Sequence, residues 1–514
     1  MSTLFDKPVL NKIRYGNQNY EVTLSLYNND SFFPINTAVL QQLIIQESAL
    51  EWYTKGTLTL KNSEGVLERR PNEFFSKDFN YKFRNDGRDF LLVQIKPLTE
   101  TASGYKESFA PELYELNYIF SIYDVEDIEG SSLKEKSIKL YFWEYDYQLF
   151  LESNLDWSTN SVLYQQSPEL NNLSSQLPDN LRKVYTGLAL KSLIRSTLNS
   201  KSNIQTFSNV WDPGSTKIFY ASPASNTAIY DFDYIYNRHV SSKRFNNIAG
   251  DVPLVFRNRY SKEWVLTAFS GLFSNAVDSS LGSMQAGVLQ REQFFLATSI
   301  PPDTIIPSLR HTPADITGTR NINFGRYSTI ENYQFVNMAA IDNTTLLKSV
   351  PCYHSAYKEK QFGLDYVDND IENIKKYYQE VYADKFKHTI TPKALFTLNK
   401  SKTESQTYNN VYSYADTKTG RYADARNAVL RSSLFLNECL VFTVQGSTYR
   451  QARVFIGIDR ENGSIDASYD DKLLGQWFTT RVTHEFTNNT YKNTIVAIKP
   501  HSSKNLRISD TNTV

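Results

Sequence analysis

The chain is poor in sulfur: its 514 residues include two cysteines, Cys352 and Cys439, and three methionines. Two thiols cannot staple a disulfide framework, and this pair matches no zinc-ligand spacing. Synthesis in a reducing compartment is the expectation. Net charge is also missing, since Lys plus Arg and Asp plus Glu number 55 each. Without a bulk field of one sign, binding to nucleic acid through overall charge is disfavoured, and no sequence-specific nucleic-acid partner is expected. No apolar run approaches the roughly 18 residues of a membrane-crossing helix, so no membrane span is expected. Residues 1–16 (MSTLFDKPVLNKIRYG) lack the basic stretch and apolar core of a secretory signal. A soluble chain made in a cytoplasm is the reading.

Recognisable catalytic signatures are missing too. The six histidines, His239, His311, His354, His388, His484 and His501, are scattered, and no two stand four apart as a helical zinc motif requires. A lone histidine is far more often a satisfied structural residue than a ligand. There is no phosphate-cradling glycine loop, no dinucleotide fingerprint and no nucleophile elbow. Carboxylates are plentiful, and a glycosidase pair, being set by spacing across the fold, stays open. The acidic run 365–370 (DYVDND) lacks the central glycine and distal glutamate of a calcium loop, and reads better as the solvated start of a helix. No catalytic residue, cofactor or metal site is assigned, and the chain is not expected to be an enzyme.

What is abundant is aromatic: 34 tyrosines and 31 phenylalanines, stiff side chains suited to strands and interfaces. Period-two alternation marks strands in two stretches. The first includes Tyr20, Val22, Leu24 and Leu26, then 55–60 (KGTLTL), 90–95, 117–124 (NYIFSIYD) and 137–144 (SIKLYFWE). The second runs from Leu440, Phe442 and Val444 through Val454, Ile456 and Ile458 to 477–482 and 494–498. Several alternating strands joined by turn residues make a sandwich or barrel. At this length a single core is not expected, because cores stop growing at roughly 250–300 residues.

Between these ends, helical spacing appears. Leu181, Val184, Tyr185 and Leu188 share one face, with Ile194 and Leu198 off it, so a helix near 181–198 is expected to be buried on more than one side. Further stripes predict helices near 226–240 (Ile229, Phe232, Tyr236, Val240), 262–276 (Val265, Ala268, Phe269, Leu272, Ala276) and 371–386 (Ile371, Ile374, Tyr378, Val381, Tyr382). Residues 153–180 are polar and read as a long connection. Residues 298–325, with Pro301, Pro302, Pro307 and Pro313, read as extended, and 401–433 as a polar, tyrosine-rich linker or loop. The most distinctive segment is 211–245, read as a turn at Trp211-Asp212-Pro213-Gly214, a short strand at 217–220, a turn at Ser222-Pro223 and a helix.

Four places together resemble the baseplate hub proteins of contractile-tailed bacteriophages, which join the tail tube to the central spike. Residues 46–60 (QESALEWYTKGTLTL) look like the opening of the first hub barrel. Residues 118–124 with 137–144 are similar to the strands that complete it, and the block 211–242 looks like the middle domain. Residues 471–486 (DKLLGQWFTTRVTHEF) with 492–499 are similar to the last strands of the second barrel, where a Gly-Gln-Trp turn leads into a strand ending near a histidine. Insertions at 153–180, 276–325 and 401–433 would account for the greater length. The fold implied is α+β, mainly β: two tail-tube-like antiparallel β-barrels around a mixed α/β middle. The domains implied are 1–150, 151–400 and 401–514, with a second barrel that could be discontinuous and take strands from 205–225.

The function implied is structural, a trimeric hub linking the six-fold tail tube to the three-fold spike and lining part of the channel for genome delivery. Its partners would be two further copies, the central spike protein, the tail tube protein and baseplate wedge proteins, in the tail baseplate of a virion assembled in a host cytoplasm. Two other readings remain: a β-rich receptor-binding tail protein or adhesin, and a polysaccharide-degrading tail enzyme.

Overall fold

A computed structural model describes residues 11–61, 83–107, 115–128, 137–162, 183–268, 292–296, 327–337, 438–460 and 475–499, short breaks aside. The expected helix at 371–386 and the stretches 298–325 and 401–433 lie outside these residues. So do the acidic run 365–370 and every histidine except His239 and His484.

The chain is mainly β. An amino-terminal unit comprises β1 (Asn11–Tyr15), β2 (Gln18–Tyr27), β3 (Phe32–Ile35), β4 (Leu40–Ser48) and β5 (Lys55–Lys61). It continues through β6 (Asp89–Thr101), β7 (Gly104–Glu107), β8 (Leu116–Ile128) and β9 (Ser137–Glu144). Helix α1 (Tyr145–Glu152) follows β9 without a loop, then β10 (Val184–Tyr185), α2 (Thr186–Leu198), β11 (Lys217–Ile218) and α3 (Ala228–Asn237). Next come β12 (Arg244–Phe245), β13 (Ile248–Ala249), β14 (Pro253–Arg257) and β15 (Trp264–Ala268). A carboxy-terminal unit has β16 (Glu292–Leu296), β17 (Tyr327–Ile330), β18 (Asn332–Asn337) and β19 (Glu438–Gln445). It ends with β20 (Phe455–Arg460), β21 (Gly475–Thr487) and β22 (Tyr491–Lys499).

One 16-stranded sheet runs through both units in the order β1-β2-β6-β8-β9-β5-β4-β21-β20-β16-β17, with β22, β19 and β18 continuing from the other edge of β21. The first seven of these strands pair antiparallel and curl round a core. Their inward residues are the alternating set read from the sequence, among them Leu24, Leu26, Leu58, Leu60, Leu91, Val93, Phe120, Leu140 and Phe142. That core is completed from the far end of the chain by Phe486 and Tyr491. Their rings stack 3.9 Å apart, and Tyr491 meets Tyr20 edge-on at 5.4 Å. The carboxy-terminal unit keeps its own smaller core of Leu440, Phe442, Val444, Ile456, Trp477, Val482 and Ile495.

The upstream strands that join this second unit come from 292–337: β16 pairs in parallel with β20, and β18 antiparallel with β19. Residues 205–225, the expected donors, instead carry β11, which pairs with β10 in the middle region.

Two of the expected helices correspond to α2 and α3, although α2 starts at Thr186 because Val184 and Tyr185 are held in the ladder to β11. As the spacing implies, α2 is buried on several sides. The helix expected at 262–276 is a correction: Trp264–Ala268 is strand β15, antiparallel to β14. Trp264, Val265, Leu266 and Thr267 are all buried. A strand covered on both faces shows a continuous apolar run with no period of two, so periodicity cannot separate it from a buried helix. These middle elements share a core of α1, α2, α3, β14 and β15 side chains, and Trp52 enters it from the loop after β4. Trp52 lies 5.1 Å from the Trp264 ring and 5.0 Å from that of Phe150.

Gly56 in β5 permits the closest approach within the curled sheet. A Cβ there would stand 1.9 Å from the Ile44 carbonyl oxygen and 2.8 Å from the Phe142 ring. Backbone cannot yield as a flexible side chain can, so Gly56→Ala is expected to destabilise the chain by about 2 kcal/mol or more. The urea midpoint at constant m-value reads this.

Candidate functional site at the seam

The two β units meet along β4 and β21, which pair antiparallel from Arg481 opposite Ser48 to Thr487 opposite Gln42. Strand β21 is long enough to serve both units. Gly475–Phe478 pairs with β20, the ladder to β22 on the other edge breaks its register between Thr479 and Arg481, and Arg481–Thr487 pairs with β4. The irregularity re-aims the strand, as bulges do, and the Ala49 amide bonds the Thr480 carbonyl there at 2.7 Å. Across the seam the Gln42 amide donates to Glu485 at 2.6 Å.

At the head of this ladder sits Glu47, 4% exposed. A carboxylate taken from water needs compensating charge and hydrogen bonds, and here they come from every part of the chain. Arg259, from the turn between β14 and β15, donates Nη1 to Glu47 Oε1 at 2.8 Å, and Tyr118 of β8 donates its hydroxyl to the same oxygen at 2.6 Å. The Ala452 amide reaches Oε2 at 3.4 Å. Arg259 also donates to the carbonyls of Arg450, at 3.0 Å, and Thr448, so its guanidinium ties the 448–452 loop to the carboxylate. Arg453, held at φ 72°, donates to the Ser48 and Glu51 carbonyls at 2.5 Å each. The loop between β19 and β20 thus grips the loop between β4 and β5.

His484 completes the cluster. Asn493 Oδ1 is taken by the Ser447 amide and by Arg450 Nη1, each at 2.7 Å, which turns the Asn493 amide nitrogen towards His484 Nδ1 at 3.0 Å. The Tyr491 hydroxyl lies 2.7 Å from the same nitrogen. Nδ1 therefore accepts, and the imidazole proton resides on Nε2. Burial, only partly offset by Glu47, depresses the imidazole to about 3, so His484 is neutral at pH 7. Burial would raise Glu47, but Arg259, with lesser help from His484 and Tyr118, brings it down to about 2. The result is one buried anion paired directly with Arg259, with the Arg450 and Arg453 guanidiniums close by on backbone carbonyls and Asn493, and a neutral imidazole beside them.

A second polar cluster lies in the middle region, where the turn at 211–214 docks against the start of α2. Asp212 accepts from the Gly214 amide through Oδ1, at 2.9 Å, and from the Ser241 hydroxyl through Oδ2. Gly214 has φ +82°, and a Cβ there would meet Thr186 and His239 below 3.0 Å. His239 Nδ1 lies 2.9 Å from the Thr186 hydroxyl, and its Nε2 is 3.8 Å from Asp212 Oδ2. Serine, histidine and aspartate are together, but the serine donates to the aspartate rather than to the histidine, the reverse of a nucleophile facing its base. Asp212, His239 and Ser241 are each 0% exposed. The neighbouring carboxylate, Asp231, accepts from Tyr220 and Ser222 at 2.5 Å each, and burial pushes it up. The acids of this region are engaged in structural hydrogen bonds.

Of the segments singled out in the sequence, the start of 46–60 and the end of 471–486, which carries His484, are brought together; the block 211–242 forms the other cluster. Arg259, Arg450 and Arg453 were missed. They stand in turn-like segments, where arginine reads as solvated surface, and only their partners, up to 405 residues away in sequence, reveal their role. Among the described residues no group of three His, Cys, Asp or Glu could hold a metal ion.

No protein-family model matches the chain, and a search of curated proteins gives no match. Among solved structures the chain is similar to a tail protein from Neisseria meningitidis MC58, at 8% identity and TM-score 0.40, with 94% of this chain and 98% of that one covered. It is similar to the 43 kDa tail protein of prophage MuSo2 from Shewanella oneidensis, at 7% identity and TM-score 0.39, covering 93% and 97%. A third is an E. coli type VI secretion component described as structurally similar to bacteriophage T4 tail proteins, at 8% identity and TM-score 0.32, covering 94% and 77%.

Two predictions follow from the Glu47 cluster. Arg259→Ala leaves the Glu47 anion buried and unpaired and should cost about 3–5 kcal/mol, whereas Glu47→Gln with Arg259→Met, which removes both charges, should cost clearly less. Urea melts of the single and double variants read the difference. The pH dependence has one sign. His484 binds a proton near 6.5 when unfolded and near 3 when folded, so its contribution is complete above 6.5 and is lost as pH falls. Glu47 shifts from 4.5 to about 2, so its contribution disappears as pH falls from 4.5 through 2. The contribution of these two groups should therefore decline on acidification from pH 6.5, and the difference in stability between the natural chain and Glu47→Gln should shrink as pH falls from 4.5 through 2.

Proposed function

We propose that this chain is a structural protein of a contractile tail, the hub that joins tube to spike. The observation that carries the reading is the β4–β21 ladder. It makes two β units of a single chain into one continuous sheet, through backbone hydrogen bonds along a seven-residue register. A hub of this kind needs two laterally joined β units per subunit, because three such subunits offer six similar units to a six-fold tube while keeping three-fold symmetry towards the spike. Closed rotational symmetry makes each contact between copies heterologous and leaves no contact surface unmatched around the ring.

On this reading the domains are 1–150, a middle region at 151–400 and a second β unit at 401–514, which strands at 292–296 and 332–337 join. The seam must resist separation when sheath contraction drives tube and spike forward. Backbone ladder, buried ion pair and shared aromatic core all act across it. Partners are two further copies, the spike, the tube protein and the surrounding wedge proteins, in the baseplate of the virion.

The test is mass. Sedimentation of the purified chain, alone and with its spike protein, is expected to give a trimer at micromolar concentration. A strict monomer in both cases sinks the reading.

A further inference from the structure

Among the described residues, two that are not glycine have a left-handed backbone: Lys262 at φ 56° and Arg453 at φ 72°. A side chain with a Cβ crowds its own backbone there, and such residues persist where the surrounding contacts hold them, as they do at switch points. Lys262 stands in the β14–β15 turn that presents Arg259. Arg453 ends the loop between β19 and β20, whose Thr448 and Arg450 carbonyls accept from Arg259. Both strained positions thus belong to the two loops that meet at Glu47.

What holds the second of these loops is polar. Of the described residues in 446–453, Ala452 alone is a buried apolar side chain. The other ties are Arg259 on two carbonyls, the Ala452 amide on Glu47, and Arg453 on the Ser48 and Glu51 carbonyls and 4.9 Å over the Phe256 ring of β14. A segment with so little apolar burial opens at lower cost than the strands beside it. Its last amide, that of Arg453, bonds the Thr479 carbonyl at 2.8 Å, short of Arg481 where the β4–β21 register starts. The loop can therefore lift without breaking a pair of that ladder.

We propose that the 448–453 loop is a latch between the carboxy-terminal unit and the middle region. Closed, it sits on Arg259 and Glu47, with guanidinium contacts opposing the strain at Arg453. Open, it lifts as one piece and Arg453 relaxes to ordinary backbone, while the β4–β21 ladder stays paired. The device lets the middle region shift against the joined sheet without parting the two β units. It stands on the geometry of the loop and holds whether or not the chain closes a ring.

Native-state hydrogen exchange of the full chain, without urea and at low urea, is the experiment. The amides of Ala452, Arg453 and Val454, all hydrogen-bonded when the loop is closed, should exchange about tenfold or more faster than those of the β4–β21 ladder, at a rate that urea barely alters. Arg259→Lys, which gives up the forked hold on two carbonyls, should speed the loop about fivefold or more and leave the ladder unchanged. Arg453→Ala and Arg453→Gly both delete the guanidinium, but alanine keeps the left-handed strain and glycine does not. The loop should accordingly open about threefold or more readily in the alanine variant. Loop and ladder amides exchanging together at one urea-dependent rate would overturn the latch. So would a loop indifferent to Arg259→Lys, or one that opens equally in the alanine and glycine variants.

Discussion

Everything in the structure turns on a carboxylate that has no water. Glu47 stands at the head of β4, and once the sheet curls around its core that side chain has nowhere to go but inward. Its charge can be kept only if a cation is delivered to the same place with good geometry. Arg259 is 212 residues away in sequence, so the middle region must be folded and docked for the Glu47 carboxylate to find its partner. The same guanidinium holds the carbonyls of the 448–452 loop, which makes the carboxy-terminal unit a party to the arrangement. Three regions are thereby coupled through a few polar atoms. Loss of one partner would strand the others in a low-dielectric interior, where an unpaired charge costs far more than the pair contributes.

Apolar packing reinforces the coupling. Trp52 leaves the β4–β5 loop and enters the core of the helical middle, touching Phe150, Phe232 and Trp264. Asp146 of α1 is joined to Arg257 of β14 at 2.7 Å, a second charged tie between the first β unit's trailing helix and the middle strands. The abundance of aromatic residues thus serves contacts between regions as much as the interior of each.

Much of the β architecture was legible in the sequence, because alternation along β2, β5, β8, β9 and β21 states directly which residues face inward. The helices α2 and α3 were legible for the same reason, at a different period. Strand β15 was not, since burial on both faces erases alternation. Helix α1 escaped because it begins at the residue after β9 and is only 8 residues long, with no loop signal between the two. The seam was invisible for a deeper reason. Pairing of β4 with β21, or of β16 with β20, is a statement about partners rather than about local pattern, and the arginines that secure it look like ordinary turn residues.

The placement of Phe486 and Tyr491 bears on how the chain is made. These rings come from the β21–β22 turn, yet they fill the core enclosed by β2, β4 and β8. As the polypeptide leaves the ribosome, the amino-terminal unit can collect its strands early but must wait for almost the whole chain before its interior is full. The contacts that finish it are about as non-local as this sequence allows, which slows folding and prolongs exposure of apolar surface. An interrupted translation product would hold an unfilled core and an unpaired β4 edge. Such a fragment lacks the packing that closes the first unit, so that unit's own core depends on residues 486 and 491.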